Sequence, residues 1–241
     1  MGTMADDGKG VAVVTGGSVG IGRATVARFR RDGWRVWSLS RRPTPVDGVQ
    51  HRRTDLADPD DLSAAVDELS ADLDGAARVC LVHNAAVMPQ DALGAVDPEE
   101  LTRTFQVNLA APAVLTSGLR DRLVPGSSVI FVGSTLSEKA VPGRLSYVTS
   151  KHGLVGLMRA TVQDLFATGV HAACVCPGFT DTEMLRPILD ANPGLEDAIA
   201  GMVSFGRLLS PDEIADVIAF AAATPAVNGA VLHANLGQKE A

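Results

Sequence analysis

The stretch Val11-Ala-Val-Val-Thr15-Gly16-Gly-Ser18-Val-Gly20-Ile21-Gly22 decides how the rest of the chain is read. Its first four residues are apolar and mostly β-branched, which predicts a strand over Val11–Val14. Glycines at 16, 20 and 22 follow, and Arg23 to Asp32 then carries helical spacing (Val26, Phe29) before a stop at Gly33. A strand feeding a glycine-rich turn and then a helix N-terminus suits a dinucleotide. Small residues let the backbone approach a pyrophosphate, and free N–H groups with the helix dipole favour its charge. The spacing is G-x-x-x-G-x-G rather than the general G-x-G-x-x-G, and a plain tight turn is the competing reading. Its position after the first strand favours the nucleotide.

Working outward, further strands are predicted at Trp34–Leu39, Val49–Thr54, Arg78–Val82, Ser128–Val132, Val170–Cys176 and Ala230–His233. Helices are predicted over Pro59–Leu73 with Asp58 as cap, as one or two over Pro98–Leu123, over Tyr147–Phe166, and from Ser210 to about Ala223. Strands alternating with helices predict βαβ units and a parallel sheet. The fold class is therefore α/β: a Rossmann-type doubly wound sheet of about seven strands, order 3-2-1-4-5-6-7, with helices on both faces. Residues 1–8 are expected to be a flexible N-terminus and 9–241 a single dinucleotide-binding catalytic domain. The apolar residues of about 183–206, from Met184 to Phe205, suggest a mobile substrate lid.

Composition narrows the function. With 241 residues and only 4% aromatics, the core is built from Val, Leu, Ile and Ala, as in covered parallel sheets. A net charge of −7 offers no basic excess for nucleic acid. No apolar run approaches the ~18–20 residues that cross a bilayer, and the polar N-terminus MGTMADDGKG has no signal region, so a cytoplasmic protein is expected. Three cysteines without C-x-x-C, and five histidines without ligand spacing, predict neither disulfide nor metal. Cys174 and Cys176, two apart on a strand, read as small core residues on one face.

Two clusters carry chemistry. The second strand ends Ser40-Arg41-Arg42, where a carboxylate would bind the ribose 2′-OH of NAD and an Arg the 2′-phosphate of NADP. Two guanidiniums and no acid favour NADP(H) over NAD(H), with Arg41 ahead of Arg42. Tyr147, the only tyrosine, precedes Lys151 by four residues, so the two share a helix face. An ammonium near a phenol is expected to lower its pKa from ~10, making it a usable proton donor. By spacing alone a surface Tyr beside a Lys is the commoner arrangement. Ser134 lies just past the fifth strand, at the sheet edge where ligands bind.

Together these residues resemble the short-chain dehydrogenase/reductase family over about residues 9–237. The motifs stand in family order: Thr15-Gly16-x-x-x-Gly20-x-Gly22, Asp55-Leu56, His83-Asn84-Ala85-Ala86, Asn108, Ser134, Tyr147-x-x-x-Lys151, and Pro177-Gly178 followed by Thr182. The resemblance implies that Tyr147 is the general acid, Lys151 holds the nicotinamide ribose, Ser134 orients the substrate oxygen, and Asn108 positions a water. It implies that Gly16, Gly20 and Gly22 shape the pyrophosphate turn, Asp55 meets the adenine, Asn84 supports the adenosine side, and Thr182 meets the carboxamide. Thr15, Ser18, Ile21, Leu56, Ala85, Pro177, Gly178 and Thr180 complete the implied cofactor contacts.

The chain departs from the pattern in three places. The family's Asn-Asn-Ala-Gly reads His83-Asn84-Ala85-Ala86, no basic residue precedes Gly20, and Asn235-Leu236-Gly237 replaces Asp-Gly-Gly near subunit contacts of tetrameric members. The expected activity is NADPH-dependent reduction of an apolar small-molecule carbonyl compound by a homodimer or homotetramer. An NAD-dependent alcohol dehydrogenase, a 3-oxoacyl-carrier-protein reductase and a non-catalytic dinucleotide sensor are the alternatives.

Overall fold

The computed structural model describes residues 9–239, so the expectation for residues 1–8 falls outside the described part. Seven strands form one sheet: β1 (Val11–Thr15), β2 (Arg35–Ser40), β3 (Gln50–Arg53), β4 (Val79–His83), β5 (Ser128–Val132), β6 (His171–Pro177) and β7 (Val231–Ala234). Their order is β3-β2-β1-β4-β5-β6-β7, and every pairing is parallel. The carboxyl ends of all strands therefore share one edge. The crossovers reverse between β1 and β4, which opens the ligand crevice there.

Side-chain alternation divides the core into two layers. Val11 and Val13 join Leu81, Phe131, Leu154 and Met158 on one face. Ala12 and Val14 join Val26, Phe29, Ile214 and Ile218 on the other. The first layer is covered by α2 (Pro59–Asp72) and α5 (Leu145–Asp164), the second by α1 (Gly20–Arg31) and α8 (Pro211–Ala223), while α4 (Ala111–Gly118) packs beside α2 in a smaller cluster of Leu56, Leu62, Val107, Ala111 and Leu115. Cys174 and Cys176 are both buried in the first layer, as their spacing implied.

Helix starts follow the local chemistry. Asp58 accepts from the amides of Asp60 and Asp61 at the start of α2. Ser210 and Glu213 form a reciprocal capping box at α8. The bounds of two helices differ from expectation, and the segment after Pro98 resolves into two helices. α1 begins at Gly20, because Arg23 N–H already bonds Val19 C=O (3.1 Å), so the glycine turn winds straight into the helix. α5 begins at Leu145 and ends at Asp164, before the left-handed Ala167 (φ 62°). The segment after Pro98 is α3 (Pro98–Phe105) and α4 joined by a π-turn over Gln106–Ala110. Pro112 has no N–H to offer the carbonyl of Asn108, and the ladder loosens there. The predicted lid holds two short helices, α6 (Arg186–Asp190) and α7 (Leu195–Gly201).

Phe131 is fully buried at the sheet centre with its ring 5.0 Å from that of His83. Phe131→Ala is expected to cost about 3–5 kcal/mol, read as a lower urea midpoint at unchanged slope.

Candidate active site

The glycine turn is shaped by backbone contact. Gly16 and Gly20 have φ of +70° and +51°, a region costly for side-chain-bearing residues. A Cβ on Gly22 would overlap the carbonyl oxygen of Gly16 and stand 2.5 Å from Asn84 Nδ2. Thr15 ties this turn to the end of β4. Its Oγ1 accepts from the amides of Asn84 (3.0 Å) and Ala85 (3.1 Å), while Asn84 Nδ2 donates to Thr15 O at 3.0 Å. No side chain caps α1 and its first turn holds no acid, so the amides face the crevice ready for an anion.

A cavity of about 890 Å³ runs along the carboxyl edge. One end is lined by Gly16, Ser18, Gly20, Ile21, Gly22, Ser40, Arg41, Arg42, Asp55, Leu56, Asn84 and Ala85. The same cavity continues past Ser134, Tyr147, Lys151, Pro177, Gly178, Thr180 and Thr182 to the lid. Arg41 and Arg42 are both exposed there. Of the residues expected to serve in catalysis or cofactor binding, Thr15 and Asn108 alone stand behind the wall instead of in it. Asn108 is buried and its amide is committed: Oδ1 accepts from Val87 N (2.8 Å), and Nδ2 donates to Val87 O (2.9 Å) and Ser150 Oγ (3.0 Å).

Tyr147 and Lys151 share the buried face of α5, with 7% and 2% of their surface exposed. Lys151 Nζ donates to Val132 O at 2.7 Å and lies 5.6 Å from the Tyr147 ring centre. The expected lowering of the phenol by this ammonium is not found. Burial dominates and pushes Tyr147 up to about 12, with a hydrogen bond to Ser134 pulling the other way. Burial also pulls Lys151 down to about 8. His83, standing where the family has Asn, is neutral: burial lowers it to about 3, and its Nε2 pairs with Thr116 Oγ1 at 2.8 Å.

Sequence reasoning missed the C-terminal side of the cavity. Gln238 and Lys239 line it because the tail is latched to the lid. Ser204 N–H donates to Leu236 O (3.2 Å), Ser204 Oγ to Gly237 O (2.8 Å), and Lys239 N–H to Met202 O (2.8 Å). The replaced Asn235-Leu236-Gly237 segment is part of this latch. Met88, Glu138, Lys139 and Phe179 also line the wall, and nothing in their local sequence marks them.

Comparison with known proteins settles the family. Residues 16–239 match the family model described as enoyl-(acyl carrier protein) reductase. The chain is a short-chain dehydrogenase/reductase. It is 33% identical to protein FixR of Bradyrhizobium diazoefficiens, over 95% of this chain and 86% of that one. It is 30% identical to an acetoacetyl-CoA reductase of Shinella zoogloeoides, over 95% and 98%. A blue fluorescent protein from a metagenomic library, solved in complex with NADPH, superposes with a TM-score of 0.83 at 29% identity, covering 97% and 99%. This short-chain dehydrogenase/reductase is thus an oxidoreductase that uses a nicotinamide dinucleotide, and its glycine turn has the close backbone approach that such a ligand requires. Among the described residues there is no group of metal-ligating side chains and no helix long and apolar enough to cross a membrane.

Two outcomes are expected. Gly22→Ala should weaken dinucleotide binding more than tenfold in calorimetry, because the methyl meets backbone that cannot yield. Tyr147 is the sole tyrosine, so a pH-jump absorbance titration of the folded enzyme reads it alone and should give a midpoint near 12.

Proposed function

We propose that this enzyme reduces a medium-sized, largely apolar ketone with NADPH. The carrying observation is the placement of Ser134, Tyr147 and Lys151 in one cavity with the glycine turn and the Arg41-Arg42 pair. Reduced nicotinamide, when bound, supplies the hydride to the carbonyl carbon. Ser134 holds the carbonyl oxygen, and Tyr147 O–H gives that oxygen its proton, so the alcohol leaves neutral. Lys151 lies beside the resulting phenolate and returns a proton to it. Its burial makes it a better donor than a free lysine. Lys151 and Thr182 orient the nicotinamide half, and Gly16, Gly20 and Gly22 admit the pyrophosphate. Arg41, helped by Arg42, pairs with the 2′-phosphate. Asn108 acts by holding Val87 and Ser150 in place.

The apolar lid residues Leu185, Ile188, Leu195 and Ile199 support an apolar substrate. A 3-oxoacyl thioester is the second reading, favoured by the likeness to the acetoacetyl-CoA reductase. We also infer a homo-oligomer. Gly156 on the outer face of α5 has open space around it, and Phe166 just beyond the helix is 83% exposed. Light scattering reads that state directly.

NADPH oxidation across a panel of ketones and acetoacetyl-CoA tests the activity. Tyr147→Phe should lower kcat by about 10²–10⁴, and unchanged turnover would remove the proposed acid. Arg41→Asp should weaken NADPH at least tenfold while leaving NADH nearly unaffected. Equal losses for both cofactors would remove the phosphate role.

A further inference from the structure

The helix that carries Tyr147 and Lys151 has no cap of its own. Its N-cap position is Arg144, whose side chain makes no capping bond, and its first turn contains no acidic residue. The first amides of a helix must find acceptors elsewhere. Here they come from a residue more than fifty positions earlier in the chain. Asp91 Oδ2 accepts from Ser146 N–H at 3.0 Å, with Oδ1 at 3.3 Å, and Asp91 C=O accepts from Leu145 N–H at 3.3 Å. Asp91 N–H donates back to Gly143 O (3.2 Å), and Arg144 Nη1 donates to Pro89 O (3.0 Å). Residues 91 and 144 thereby form an isolated parallel bridge. Ser146 is fully buried, so water cannot replace the carboxylate on its amide.

The same segment holds the other parts of the site. Asn84 and Ala85 bond Thr15 at the glycine turn, and Val87 is clamped on both sides by Asn108. Asn108 in turn donates to Ser150 Oγ, which donates to Tyr147 O at 2.8 Å. Residues 84–91 therefore form a strap that starts on the nucleotide turn and ends on the first turn of α5, one residue from Tyr147.

We infer that Asp91 is a positioning residue: through its hold on Leu145 and Ser146 it fixes the first turn of α5, and with it the Tyr147 phenol, relative to the nucleotide turn. The inference rests on Tyr147 being the proton donor for its effect on turnover, but not for its effect on the phenol. A carboxamide also accepts from an N–H, and Asn caps helices as well as Asp does. Asn at this position should therefore serve, and Ala should not.

The test uses the full-length enzyme with Asp91→Ala and Asp91→Asn. For D91A, kcat with the best ketone should fall at least tenfold, while the dissociation constant for NADPH stays within threefold of wild type. D91N should recover kcat to within threefold. Independently of turnover, the pH-jump titration of the sole tyrosine should move in D91A towards the ordinary phenol value and stay at the wild-type midpoint in D91N. Circular dichroism and retained NADPH binding establish that each variant is folded. If D91A does not fold, Asp91→Glu, which keeps the charge but displaces the carboxylate, takes its place with the same expectations. A phenol titration unchanged in the cap-lacking variant overturns the inference, as does a D91N that behaves like D91A. So does a loss of NADPH affinity that matches the loss of kcat. If the wild-type enzyme turns over no carbonyl compound, the reductase reading fails and the titration still decides the role of Asp91.

Discussion

An ammonium and a phenol kept out of water on one turn of one helix are the constraint around which the site is arranged. Burying a lysine charge costs several kcal/mol unless polar partners replace water. Lys151 is offered the Val132 carbonyl at 2.7 Å, at the carboxyl end of β5. The shortfall appears as the displacement of Lys151 down to about 8, and the same dry surroundings lift Tyr147 to about 12. Burial thus orders the two protons: the ammonium loses its own before the phenol does. At neutral pH both are protonated, which is the state a proton donor to a carbonyl must occupy.

The sheet supplies the rest. Because all seven strands run parallel, their carboxyl ends meet along one edge, and loops from β1, β2, β4, β5 and β6 line a single cavity. Such loops are individually weak supports for reacting groups that must be held to a fraction of an ångström. Here they are cross-tied instead of free: β1 to β4 through Thr15, β4 to α5 through Asp91, and the lid to the C-terminal tail through Ser204. Position at the site is a property of these ties more than of any single loop.

What the sequence disclosed and what it hid divide along a physical line. The strand run, the glycine spacing and the i, i+4 pairing of Tyr147 with Lys151 are local patterns; they disclosed the alternation of strands and helices, the nucleotide turn and the shared helix face, while the further cavity residues came from the resemblance of the ordered motifs to the family. Quantities that sum over distant neighbours were hidden. The ammonium was expected to lower the phenol; the desolvation that outweighs it comes from packing no window of sequence displays. Asn108 has a motif position but no motif for its partners, so its commitment to Val87 was invisible. Gln238 and Lys239 reach the cavity only because the tail folds back on the lid, some thirty-five residues away in sequence.

The departures from the family pattern fall where this logic allows them. His83 fills a position whose side chain points into the core behind the cavity, and there a neutral imidazole finds Thr116 and the face of Phe131. A ring in place of an amide is tolerable because the group it serves is the sheet, not the ligand. Ala86 lines the cavity itself, but its added methyl sits on the strap between Ala85, bonded to Thr15, and Val87, bonded to Asn108. With both neighbours pinned through their backbones, the path of the chain at residue 86 is set without help from a glycine. The strap's hydrogen bonds therefore do two things at once: they hold the nucleotide turn against the catalytic helix, and they free the residues between their anchor points to vary.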